Sequence, residues 1–176
     1  MAIQRYSLPA VAVHWLQAAL VLWLFWLGWT MLDIPKGPER SAAFSLHKSL
    51  GLLAFLLVLM RLMWRRYSAP PALSGRRIEI LAAKAVHHGL YVFLVLAPLA
   101  GYLSSSFTEY PMKFFGVPLP KAGWPDKNLN EAFKLAHEIL VWGGMGLVGV
   151  HVGAALLHAF RRDGTFSRML PGRSRT

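Results

Sequence analysis

Seven histidines stand out in a chain otherwise dominated by apolar residues. An imidazole inside hydrocarbon is expensive, so each one within a membrane-length apolar stretch is a candidate for chemistry. A single such ring is more commonly a hydrogen-bonded structural residue, and it is the set that argues otherwise. His137 and His151 lie 14 residues apart in the last apolar stretch. On a helix turning about 100° and rising 1.5 Å per residue they share a face and are separated by about 21 Å. One helix therefore offers two nitrogen ligands at two depths. His14, at the start of the first apolar stretch, falls level with His151, and His47, at the start of the second, falls level with His137.

Two bis-histidine pairs follow, His14 with His151 and His47 with His137. Two imidazoles, one on each face of a porphyrin, close both axial positions of a haem iron, an arrangement suited to electron transfer rather than to gas binding. Small residues stand one turn beyond three of these histidines, at Ala18, Gly51 and Ala155, where a porphyrin needs room. Gly143, Gly144, Gly146 and Gly149 lie between the two ligands of the last stretch, and close helix packing explains them equally well. Three of these glycines spell G-x-G-x-x-G, but no strand precedes them and the run is intramembrane, which removes a dinucleotide site. Zinc is disfavoured because neither pair has a third ligand nearby and H-E-x-x-H is absent.

The elements that must position these rings are four apolar spans, expected over about residues 10–32, 42–64, 80–104 and 132–160. Each meets the roughly 20 residues needed to cross a bilayer. With 55% hydrophobic residues and a mean hydropathy of +0.41, a 176-residue chain is too apolar to hide its surface as a water-soluble domain. The expected fold is all-α, a membrane four-helix bundle forming a single domain over residues 1–176. The first span is too long for a signal-peptide core and no small-residue cleavage pattern follows it, so it is read as retained. The chain has no cysteine, which excludes disulfides, thiolate-held clusters and covalent c-type haem.

The net charge of +11 is a topology signal rather than a nucleic-acid footprint. Arg5, Arg65, Arg66, Arg76, Arg77, Arg161, Arg162, Arg168, Arg173 and Arg175 fall on one side, opposed only by Glu79 and Asp163. The positive-inside rule makes that side, and with it both termini, cytoplasmic. The longest loop on the other side contains Pro111, Pro118, Pro120, Gly123 and Pro125, which break regular structure, and is expected to cap the bundle. Trp15, Trp23, Trp26 and Trp29 are read as lipid or interface contacts.

Four stretches carry a family resemblance: His14-Trp15, HKSLGLLAFLLVLMRLMWR from His47, HHGLYVFLVLAPLAG from His87, and HEILVWGGMGLVGVHVGAALLHAFRRDGTFSRMLP from His137. Over nearly its whole length the chain resembles the bacterial cytochrome b561 family, related to the cytochrome b subunits of nickel hydrogenases and formate dehydrogenases. The resemblance implies a four-helix protein of the bacterial inner membrane with two non-covalent haem b groups on His14, His47, His137 and His151, and quinone as the inner partner. His88 departs from the family pattern, in which an apolar residue follows the preceding histidine, and His87 is taken as the ring facing the bundle.

Stand-alone members of this length are similar to superoxide oxidase, which implies oxidation of periplasmic superoxide coupled to ubiquinone reduction. The alternative is an electron-transfer subunit fed by a separate dehydrogenase or other redox protein. For the first reading, Lys48 and Lys134 beside the outer ligands, with Lys113, form a positive mouth for a small anion; lipid headgroup contact is the competing role. His158, two turns beyond His151, is placed to protonate a quinone oxygen. His87 and Arg5 lie at similar depth and either assist there or bind haem propionates, whereas Arg61 and Lys84 are expected to snorkel.

Overall fold

The computed structural model describes residues 5–72 and 75–171; Arg173 and Arg175 lie outside the described residues. Helices α1 (Leu8–Thr30), α2 (Pro38–Tyr67), α3 (Arg77–Ser106) and α4 (Lys127–Arg161) are each long and apolar enough to cross a membrane. Between α3 and α4 lies a two-stranded hairpin, β1 (Lys113–Phe114) and β2 (Val117–Pro118), and a 3-10 turn over Phe166–Met169 follows α4.

Helices α2, α3 and α4 extend beyond the apolar stretches at both ends because their ends are set by local polar chemistry, whereas α1 starts earlier than expected and stops at Thr30. Helix α2 begins at Pro38, whose fixed φ and missing N–H suit a first turn. The carboxylate of Asp126 accepts from the Leu129 amide at 3.0 Å and starts α4 five residues before the apolar run. In α3, Glu79 accepts from the Arg76 amide at 3.0 Å, which closes a capping box. The long loop is not wholly irregular. Phe115 (φ 46°) and Gly116 (φ 89°) turn the chain so that Lys113 pairs with Pro118 and Phe114 with Val117. Two left-handed residues in a row are the demand of a type I′ hairpin.

The hairpin sits over the start of α2, where the Phe115 amide donates to Ser49 Oγ at 2.9 Å. At the opposite, arginine-rich end the segment after α4 turns back. Trp15 donates its indole N–H to Met169 O at 2.7 Å, Tyr6 N donates to Arg168 O at 3.2 Å, and Arg168 reaches Ala72 O at 2.7 Å. This strap ties both terminal segments to the α2–α3 connection.

Two apolar clusters fill the middle. One joins Leu20 and Leu27 of α1 to Leu50, Ala54 and Leu57 of α2; the other joins Val21, Phe93 and Ala97, with Phe25, Leu140 and Val148 packed against them. Most other large apolar side chains face outward, including Trp23, Trp26 and Trp29, each at least half exposed as lipid-facing residues of a membrane bundle are.

Of the α4 glycines only Gly144 is buried. A Cβ there would stand 2.3 Å from the Phe93 ring, which itself stacks on Phe25 with centroids 6.0 Å apart. Gly143 has no atom within 4 Å of the same construction. Gly144→Ala should therefore destabilise the bundle by about 1–3 kcal/mol as Phe93 is displaced. Gly143→Ala should be neutral or stabilise by up to about 1 kcal/mol through helix propensity. Thermal unfolding of the two variants in detergent distinguishes them, and equal midpoints would contradict the packing described.

Candidate functional site: two levels of paired histidines

The rings expected to face each other do so. His47 of α2 and His137 of α4 stand with centroids 6.3 Å apart and planes crossed at 87°. His14 of α1 and His151 of α4 stand 6.1 Å apart, crossed at 78°. Two imidazoles bonded to one metal ion from opposite sides at about 2 Å place their centroids about 6 Å apart, so both pairs have the span of an axial ligand set. All four rings are partly buried.

The 14-residue offset of α4 recurs on every helix. At the hairpin end the level contains Gly28, His47, Gly101 and His137; 14 positions away along each helix stand His14, Arg61, His87 and His151. At the first level the glycines of α1 and α3 lie against the histidine rings. A Cβ on Gly28 would come within 3.1 Å of the His47 ring, and one on Gly101 within 3.2 Å of His137 Nδ1. His137 Nδ1 donates to Ala97 O at 2.7 Å. A carbonyl only accepts, so the neutral ring carries its proton on Nδ1 and leaves the Nε2 lone pair for a metal. His47 Nδ1 is buried without a hydrogen-bond partner. Gly51, one turn on, has no atom within 4 Å of its would-be Cβ. A flat ligand between imidazoles fits this donor set.

The arginine-rich level holds three rings. His87 lies 5.5 Å from His151, and among the described residues no three histidine or carboxylate side chains converge on one point. His87 faces the bundle, whereas the exposed His88 donates to Lys84 O of its own helix at 2.6 Å. Arg61 does not snorkel outward: its guanidinium donates to His14 Nδ1 at 3.1 Å and lies over Tyr91, 5.6 Å from the ring centroid. Arg65 approaches the same ring at 5.8 Å. Arg5 is occupied elsewhere, donating to Leu170 O at 3.4 Å.

The remaining candidates are dispersed. Lys48 is half-buried beside the His47 level, and the charged side chain acting on it is Lys121, a residue of the same side not expected in the mouth. Lys121 Nζ donates to Thr108 O. Lys134 is exposed and paired with Glu138 at 3.8 Å, and Lys113 is exposed on β1. His158 is held by Asp163, Nδ1 to Oδ2 at 2.5 Å, and the second oxygen of Asp163 accepts from Thr165 N at 2.9 Å.

Four membrane helices that pair histidines across their centre at two depths define a class, the membrane cytochromes b. The sequence profile of prokaryotic cytochrome b561 matches residues 5–172, and the chain belongs to that family, whose members carry b-type haem and transfer electrons in membranes. It is similar to "Cytochrome b561 homolog 2" of Escherichia coli K12, 34% identical over 95% of this chain and 92% of that protein. It is also similar to "Cytochrome b561 homolog 1" of the same organism, 27% identical over 96% and 98%. A third relative is "Probable superoxide oxidase CybB" of Yersinia pestis, 26% identical over 96% and 97%.

The turn that leads from α4 into the strap is tied by one carboxylate. The bond from His158, then that from the Thr165 amide, holds Asp163 down at about 2 from its ordinary 3.8. A depressed folded pKa means that the anchoring is complete above the unfolded value and is lost as pH falls from 3.8 through about 2. Asp163→Asn should release the turn at neutral pH, raising amide exchange at Thr165 several-fold with little change in the helices. Unchanged exchange would show that the turn is held by other contacts.

Proposed function

We propose that this chain oxidises superoxide at the periplasmic side of the bacterial inner membrane and reduces ubiquinone at the cytoplasmic side, with the arginine-rich end and both termini cytoplasmic. The observation that carries this reading is the stacking of two crossed histidine pairs about 21 Å apart along one helix. Two haem b groups, when bound, supply one-electron carriers at the two levels. The chain's own residues do the rest. His47 with His137 and His14 with His151 would hold the two haem irons, with Gly28 and Gly101 leaving the first pair room to approach.

The reaction balances as two superoxide anions giving two molecules of dioxygen, while one ubiquinone takes two electrons and two protons. Outside, Lys48 with Lys121 supplies an uncompensated positive charge that draws a small anion. Lys134 and Lys113 are assigned to the same mouth, with Lys134 contributing less because Glu138 neutralises it. Inside, His158 delivers protons to the quinone. Asp163 takes the Nδ1–H of its ring, which aims Nε2 away from the strap. His87 lines the same end. A second reading, an electron-transfer subunit fed by a separate dehydrogenase, is favoured by the ion pair that removes Lys134 from the mouth.

The ligand assignment predicts that His47→Ala loses the haem at the hairpin level alone and His151→Ala the haem at the arginine-rich level alone. Pyridine haemochrome content should fall from two per chain to one in each. If both variants erase the same spectral component, the pairing is wrong.

The donor is tested by pulsing superoxide onto the oxidised protein and following ubiquinone reduction. The bimolecular rate should fall as salt rises, and Lys48→Gln should lower it severalfold and flatten the salt dependence at unchanged haem content. Lys134→Gln should have the smaller effect. Absence of any superoxide-driven reduction would leave the electron-transfer subunit.

A further inference from the structure

Arg61 and Arg65 present two positive charges to one ring, and among the described residues no carboxylate is left to balance them. Of the eight acidic residues, Asp33, Glu39, Glu109, Asp126, Glu131 and Glu138 lie at the hairpin end of the helices. The two at the arginine-rich end are committed, Glu79 to Arg76 at 2.9 Å and Asp163 to His158 and Thr165. An arginine inside a membrane span without an anion is costly, and it marks a place where an anion is supplied from elsewhere.

The proton inventory of His14 points the same way. Arginine only donates, so the bond from Arg61 requires His14 Nδ1 to accept, which puts the ring proton on Nε2. An imidazole that gives its Nε2 lone pair to a metal must instead carry the proton on Nδ1, as His137 does toward Ala97 O. Two donors cannot face each other. Metal ligation by His14 through Nε2 therefore releases Arg61 to another acceptor. Tyr91 gathers that guanidinium and the one of Arg65, four residues apart on α2, within 5.8 Å of one aromatic ring. A planar guanidinium pairs with a carboxylate bidentately and holds it in a fixed orientation.

Resting on the ligand assignment above, we propose that Arg61 and Arg65, gathered around Tyr91, form a clamp for the two propionate carboxylates of the haem at the arginine-rich level. The clamp orients that haem and raises its reduction potential, because a nearby cation favours the form carrying one more electron. A phospholipid phosphate would present a similar oxyanion to the two arginines, and the test separates the two sources.

The full-length protein in lipid nanodiscs is compared with Arg61→Gln, Arg65→Gln, the double variant, Arg61→Lys and, as a control at an exposed position without ring contact, Arg66→Gln. The readouts are haem stoichiometry and a potentiometric titration that resolves the two haems. The double variant should make the haem that is lost in His151→Ala at least tenfold harder to reduce, about 59 mV for one electron. The other haem and the Arg66→Gln protein should be unmoved, and Arg61→Lys should recover part of the shift. If Arg61→Gln impairs haem insertion, Arg65→Gln alone still carries the test, since that side chain is exposed and touches no ligand ring. Two haems with unshifted potentials would overturn the clamp, as would an equal shift in Arg66→Gln. Loss of bound anionic lipid in native mass spectra without a change in potential would also overturn it. A haem content still at two in His151→Ala would instead sink the ligand assignment.

Discussion

A neutral imidazole between membrane helices has a proton that must be accepted and a lone pair that must be used, and lipid offers neither. The bundle is organised around this demand. Ala97 O takes the proton of His137, which orients the ring toward α2, and His47 meets it at right angles. Because the demand arises twice on α4, 14 residues apart, the other helices must answer at the same two heights. They do so with histidine, glycine or arginine according to what each height needs. Glycine appears where a ring must come close, at Gly28 and Gly101, and arginine where charge is wanted, at Arg61.

The two levels are not equivalent. At the hairpin end two histidines face each other between glycines, with the half-buried Lys48 and Lys121 nearby. At the other end three histidines, two arginines and Tyr91 gather. The same helices thus present a histidine pair between glycines on one side and a polar cluster with two arginines on the other.

The four spans and the histidine partners were legible because both rest on signals that repeat along the chain: long apolar stretches, and polar rings set within them at helical spacing. Helix ends were not. Pro38 and Asp126 start α2 and α4 through turn chemistry outside the apolar run, where hydropathy is silent. Arg61 is expected to snorkel because an arginine near a helix end commonly reaches outward, and only the packing of α3 beside it turns the side chain over Tyr91. Gly28 and Gly101 have no side chain to advertise a role; the 14-residue offset from His14 and His87 was the available signal. Lys134 was grouped with Lys48 by its nearness to His137 in sequence, yet its helix face carries Glu138 one turn on and pairs the two.

The stacked rings of Phe25 and Phe93, seated on Gly144 midway between the two levels, have a consequence for energy coupling. They place hydrocarbon between the two levels, a medium through which an electron tunnels more readily than a hydrated proton passes. Charge moved from one level to the other therefore crosses about 21 Å of a roughly 30 Å low-dielectric layer uncompensated. In the orientation proposed, an electron travelling inward climbs about two thirds of the membrane voltage, about 1.5 kcal/mol for each 100 mV. The protein is then an electrogenic device whose driving force shrinks as the membrane becomes more energised.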